Sequence, residues 1–220
     1  MGQHGFARDK AFEIAEHTSD HISFELRADN STLKVFPFEF KLVISYHLLG
    51  SSLRVTYKVE NTGKEEMYFS VGGHPGFVCP VDSSESRSDY WLEFEVEEKP
   101  ETHLLKEGNF SGETDEIQLD GTKLQISDSL FDKDALVFKK LISNNISLAS
   151  PQQKWLTFHF EGFPYLGIWS KSQNSPFVCI EPWQGLADNQ SHNGDLTQKE
   201  GILKLKPSAI FSTSYSIEIH

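Results

Sequence analysis

The sequence predicts an all-β protein, a sandwich or barrel, on three observations. Aromatic residues dominate the apolar set, with 17 Phe, 6 Tyr and 4 Trp against two Met. Apolar and polar residues alternate with period two in several runs, the spacing of strands with one buried face. Gly and Pro punctuate those runs at short intervals, as turns between strands require.

The runs follow in chain order. Ser31 to Val35 carries a short helical signal stopped by Pro37, which cannot continue a helix. Leu53, Val55, Tyr57 and Val59 alternate with Arg54, Thr56, Lys58 and Glu60, and Asn61-Thr62-Gly63 ends the run. Met67 to Val71 is extended, and Leu92, Phe94 and Val96 alternate with Glu93, Glu95 and Glu97. Trp155–Phe160, Tyr165–Trp169, Phe177–Ile180, Ile202–Leu205 and Ile210–Ile219 complete the set. No internal repeat or low-complexity linker interrupts the 220 residues, so one domain spanning 1–220 is expected.

Charge narrows the partners. The net charge is −12, and residues 81–120 hold 13 acids against three bases, which reads as a solvated face and loop. Nucleic acid is a poor partner for such a chain, because binding phosphates needs clustered Lys and Arg. An anionic membrane surface is disfavoured for the same reason, and no apolar run is long enough to span a bilayer. Residues 1–12 hold no apolar stretch of signal-peptide type, so a cytoplasmic location is expected. Cys79 and Cys179, 100 positions apart, read as two buried thiols.

The sequence has no Gly-rich phosphate loop, no dinucleotide fingerprint, no Gly-x-Ser-x-Gly elbow and no Cys-x-x-Cys pair. The nine His are scattered with no His-x-His pair, so neither a metal nor a cofactor is expected.

Three segments stand apart from the strands. Gln3-His4-Gly5-Phe6-Ala7-Arg8-Asp9 is a polar string around one aromatic. In Val71-Gly72-Gly73-His74-Pro75-Gly76-Phe77, glycines flank a His and let backbone or ligand approach closely. In Cys179-Ile180-Glu181-Pro182-Trp183-Gln184-Gly185, a carboxylate ends an apolar strand. An acid there either finds a partner or does chemistry. Each has a plain structural reading as well: His74 as a turn residue bonding a carbonyl, Glu181 as a salt-bridge partner, His4 and Arg8 as a loop ion pair with Asp9. Together a His and a Glu are the materials of metal-free acid–base catalysis. Trp183, Trp169 and Phe77 offer flat apolar faces of the kind sugars stack on, or else belong to the core.

These three segments resemble the aldose 1-epimerase (galactose mutarotase-like) family, most closely its LacX-type branch. Leu130–Phe138 is similar to the family's Asp-bearing central strand, and Gly201–Pro207 to its penultimate strand. The resemblance implies a large antiparallel β-supersandwich and interconversion of the α and β anomers of an aldohexose. By motif position, His74 would be the acid that protonates the ring oxygen and Glu181 the base at the anomeric hydroxyl. His4, Arg8 and Asp134 would bind the sugar, with no cofactor and no metal. Family members carry several strands before the Gln3–Asp9 motif, where this chain has two residues, so a shortened sandwich with an open sheet edge prone to self-association is expected. A catalytically silent carbohydrate-binding protein of the same fold is the alternative.

Overall fold

The computed structural model describes residues 2–172 and 174–220. Its strands are β1 (Glu13–His17), β2 (His21–Arg27), β3 (Phe40–Leu49), β4 (Ser52–Asn61), β5 (Met67–Phe69) and β6 (Gly76–Val78). They continue with β7 (Trp91–Phe94), β8 (Glu101–Lys106), β9 (Asn109–Glu116), β10 (Lys123–Gln125), β11 (Leu136–Phe138) and β12 (Asn145–Ala149). The last five are β13 (Lys154–His159), β14 (Tyr165–Trp169), β15 (Phe177–Trp183), β16 (Leu203–Leu205) and β17 (Ile210–Ile219).

Nine strands form one antiparallel sheet in the order β1-β2-β3-β4-β17-β13-β12-β7-β10. A four-stranded sheet, β11-β14-β15-β6, lies over it, and β16-β5 and β8-β9 are two-stranded. The main core fills the space between the two larger sheets. Alternation puts Val55, Tyr57, Leu92, Phe94, Ile146, Phe158 and Tyr215 on the inner face of the large sheet, and Leu136, Phe138, Leu166, Ile168, Val178 and Ile180 on that of the small one. Each such side chain contributes roughly 1.5–3 kcal/mol on burial. The outer face is polar in the same rows: Ser147 and Thr157 lie 3.0 Å apart, and Thr157 lies 2.8 Å from the His220 ring. The all-β supersandwich is therefore borne out.

Three expectations need correction. Ser31–Val35 is a run of turns, held because Asp29 Oδ1 accepts from the Ser31 and Thr32 amides and diverts the backbone from a helix. Val96 lies beyond the end of β7 and is exposed. The acidic stretch is not only a solvated face. Glu98 Oε1 accepts from the amides of Ile142 and Ser143, at 2.8 and 2.6 Å, and Glu95 Oε2 accepts from Asn144 N. These carboxylates fasten the connection into β12, a long-range role that charge counting does not reveal. The two cysteines are free and buried, as expected.

β1 is an edge of the large sheet and is exposed along its whole length, with Ile14 65% exposed. The register slips between Ile14 and Glu16, a bulge of the kind that blunts edge strands. Among the described residues no helix is long and apolar enough to cross a membrane.

Candidate active site

The two faces of β11-β14-β15-β6 follow directly from the strand period. Even-numbered residues of β14 and β15 enter the core, and odd-numbered ones line the opposite face. Glu181 therefore shares that outer face with Cys179 and Trp183, its neighbours two residues away on β15. Across β14 it meets Gly167, and beyond that Val137 of β11. On the other side β15 pairs with β6 through Cys179↔Gly76, and an isolated bridge joins Trp183 to Gly72. The same register carries His74 opposite Glu181. His74 Nδ1 lies 3.3 Å from Glu181 Oε1, with side chains 37% and 7% exposed respectively.

Glycine clears the floor around this pair. A Cβ on Gly167 would run into the Trp183 indole, and one on Gly72 would stand 2.9 Å from Trp183 Cδ1. The indole thus lies flat between two bare backbones, where any side chain would displace it. Gly73, on the core side, abuts Tyr215 and the Tyr57 hydroxyl, so the backbone that presents His74 sits directly on the buried tyrosines. Beyond Trp183 the outer face is closed by Phe110, Leu186 and Val137, a small apolar cluster that β8 joins when Thr102 Oγ1 accepts from Val137 N. The His74 end stays open.

Pro182 sits inside β15, a place that usually excludes proline. Its carbonyl accepts from Gly73 N. In an extended strand the N–H and C=O of one residue point to the same side, so the Gly73/Pro182 pair keeps one ladder bond and lacks its reciprocal.

The Gln3–Asp9 motif reaches the same place. Phe6 packs on Phe36 and Phe40, at 5.5 and 5.8 Å between ring centroids, and anchors the segment. His4 then stands 5.3 Å from the His74 ring, and Trp169 meets that ring edge-on at 6.0 Å. Arg8 is exposed and lies 3.7 Å from Asp9.

Burial pushes the Glu181 carboxyl up to about 7, against a hydrogen-bonding pull from Trp183. Burial also holds the His74 imidazole below its ordinary value, helped by neighbouring His4 and then Arg8, while a backbone hydrogen bond works the other way. Cys179, under the same face, is pushed up to about 12 by burial and by the Glu181 charge. The pair is then better described as a contact sharing a proton than as a fixed salt bridge.

His4, His74, Glu181 and Trp183 are thus brought together, and Arg8 acts on His74 electrostatically. Asp134 is not joined to them by any contact among the described residues. It is exposed in the turn before β11, at φ 86°, with its carboxylate accepting from Ala135 N. Phe77 is turned away, packing on Phe158 in the core. The strand expected to end at Ile180 runs on to Trp183, so Glu181 is an interior residue, and Trp183 is half-buried over glycine. The glycines flanking His74 were singled out in the sequence, but Gly167, which completes the floor, was missed. The alternation of Gly72 and Gly76 with His74, and Cys179-x-Glu181-x-Trp183, was the available signal.

A sequence profile described as aldose 1-epimerase matches residues 1–204. The chain belongs to the aldose 1-epimerase family. Within it, the chain is 32% identical to the chromosomal protein LacX of Lactococcus lactis subsp. lactis, over 99% of this chain and 74% of that protein. The fold is similar to the X-ray structure of a galactose mutarotase related enzyme from Lactobacillus acidophilus, with TM-score 0.93 and 35% identity over 100% of this chain and 74% of that one. A galactose mutarotase-like protein from Lactobacillus casei ATCC 334 gives TM-score 0.91 and 30% identity, over 100% and 76%. Membership of that family supports a carbohydrate epimerase-like role, and His74, Glu181 and His4 lie in the motifs that first resembled it.

Proposed function

We propose that the protein interconverts the α and β anomers of an aldohexose, with Glu181 and His74 as its two proton carriers. The observation that carries this reading is their contact, 3.3 Å apart on a glycine-cleared face. The anomeric hydroxyl oxygen and the ring oxygen are bonded to the same carbon, so two groups standing side by side can serve both.

Ring opening takes the hydroxyl proton to the Glu181 carboxylate while the bond from C1 to the ring oxygen breaks and that oxygen takes the proton of His74. C1 becomes an aldehyde carbonyl. Rotation about the next carbon–carbon bond turns the other face of C1 to the hydroxyl. Closure runs the two transfers in reverse and restores the protonated His74 and ionised Glu181. After opening, Glu181 is protonated and His74 neutral, the state toward which burial already biases both groups. The reaction therefore needs no external proton source.

Trp183 and Trp169 supply apolar faces for the ring, and His4 and Arg8 supply donors to its hydroxyls. Arg8 is exposed, and a guanidinium suits hydroxyls and phosphate alike. The experiment follows anomer equilibration of freshly dissolved α-galactose, α-glucose and hexose 6-phosphates by polarimetry or NMR. Acceleration with at least one of them is expected. Equilibration at the buffer rate with every sugar, by a protein that binds one of them, would replace this reading with that of a silent carbohydrate binder.

A further inference from the structure

We propose that the outer-face cluster of His74, Cys179 and Glu181 is a binding site for a borderline-soft divalent cation, with Zn²⁺ the best match, and that the ion competes with the acid–base role of the pair. The inhibitory half rests on the reading above; the metal site itself does not.

The donor atoms of the three side chains all lie within 4.8 Å of one another. Nitrogen, thiolate sulfur and carboxylate oxygen are the ligands that Zn²⁺ combines. A tetrahedral ion with ordinary bonds to imidazole and carboxylate needs those two donors about 3.4 Å apart. His74 Nδ1 and Glu181 Oε1 are already at 3.3 Å, so two of three donors are pre-set. Sγ of Cys179 lies beside Gly76, in ordinary contact range of where a Cβ would be, so no side chain at 76 stands over the thiol. His74 is the exposed member and gives the ion an entry path, and the fourth position faces the open end, where water would complete the site. The scattered sequence positions hid this cluster, which exists only because the register sets residue 74 opposite 181.

The opposing forces are equally local. The thiol must lose its proton to bind, and burial holds it protonated. The Arg8 guanidinium, which acts electrostatically on His74, repels a cation. Occupancy therefore responds to the Arg8 charge, and an ion bridging His74 and Glu181 would immobilise both proton carriers.

The test titrates the purified protein, freed of metal by chelator, with Co²⁺ as a spectroscopic stand-in and then with Zn²⁺. One equivalent of Co²⁺ is expected to produce a thiolate-to-cobalt charge-transfer band, which Zn²⁺ displaces. Cys179→Ser should abolish the band and weaken Zn²⁺ binding at least ~10-fold, and Cys79→Ser should leave the band intact. His74→Asn, at the exposed member of the cluster, should weaken binding similarly, and Arg8→Ala should strengthen it. Absence of any thiolate band in the wild type, its survival in folded Cys179→Ser, or its loss in Cys79→Ser would each overturn the site. If Co²⁺ binds as described but no sugar is epimerised, the metal site stands and the proposed function falls. If the sugar is epimerised and saturating Zn²⁺ leaves the rate unchanged, the inhibitory half is wrong.

Discussion

The two faces of β11-β14-β15-β6 are made by the same strands and differ in almost everything else. The inner face carries Leu136, Phe138, Leu166, Ile168, Val178 and Ile180, all buried and all ordinary. On the outer face Gly167, Glu181, Cys179 and Trp183 alternate with them, facing Gly72, His74 and Gly76. Burial on the inner side stabilises the fold. On the outer side it raises the Glu181 carboxyl, a cost to stability at neutral pH. One residue step along a strand thus separates a group that stabilises from a group that is retained at a loss, which is the expected mark of a working site.

The largest contrast is in turnover. Glu181→Gln and His74→Asn are each expected to lower the anomerisation rate at least ~100-fold, since a positioned proton carrier typically contributes about 10²–10⁴-fold. Ile180→Val, one residue away on the inner face, should cost about 0.5–1.5 kcal/mol of stability and leave the rate per folded molecule unchanged. Chemical denaturation beside a polarimetric rate separates the two effects, and equal rate losses on both faces would erase the distinction.

The second contrast is in pH. Glu181 titrates near 7 when folded and near 4.5 as an ordinary carboxyl. Above pH 7 the folded protein must hold it ionised in a buried place, a cost of up to about 3 kcal/mol. Below pH 4.5 it is protonated in both states and the cost disappears. Glu181→Gln should therefore stabilise the protein at pH 8, with the gain shrinking as pH falls from 7 to 4.5. Thermal melts across that range would show it, and a gain independent of pH would point to packing instead.

Trp183 sharpens the comparison further. Gly167→Ala should displace the indole at a cost of roughly 1–3 kcal/mol and raise KM more than it lowers kcat, because the added Cβ strikes the Trp183 ring rather than the catalytic pair. A loss in kcat alone would mean that the ring positions the pair rather than the sugar.

The acidic stretch offers a smaller effect. Glu98→Ala leaves two amides of the 142–143 connection without their acceptor and should cost about 1–3 kcal/mol, whereas exposed Glu97→Ala should stay within about 0.5 kcal/mol. The smallest effect is none: with both thiols free, a reducing agent should not move the melting temperature.

How much of this was legible in the sequence depends on which interactions are local. The alternation of Leu53, Val55, Tyr57 and Val59 named the buried face of β4, and Tyr165–Trp169 and Ile210–Ile219 have the bounds read from the sequence. β2 and β3 were missed because Phe24, Ile44 and Tyr46 sit among Ser, His and Glu in patterns weaker than the strong runs. Asp134 was read as a sugar ligand from motif resemblance alone, and its carboxylate accepts from the next amide, Ala135 N. Sequence by itself determined the all-β class and the family, and singled out His74 and Glu181 as candidates, because period and motif are properties of neighbouring residues. Only the tertiary structure decided that residues 74 and 181 stand in register, that Trp183 lies on Gly167 and Gly72, and that Cys179 joins the pair. Those facts depend on pairing between segments more than a hundred residues apart, and strand register is set by the burial of whole faces rather than by any local signal.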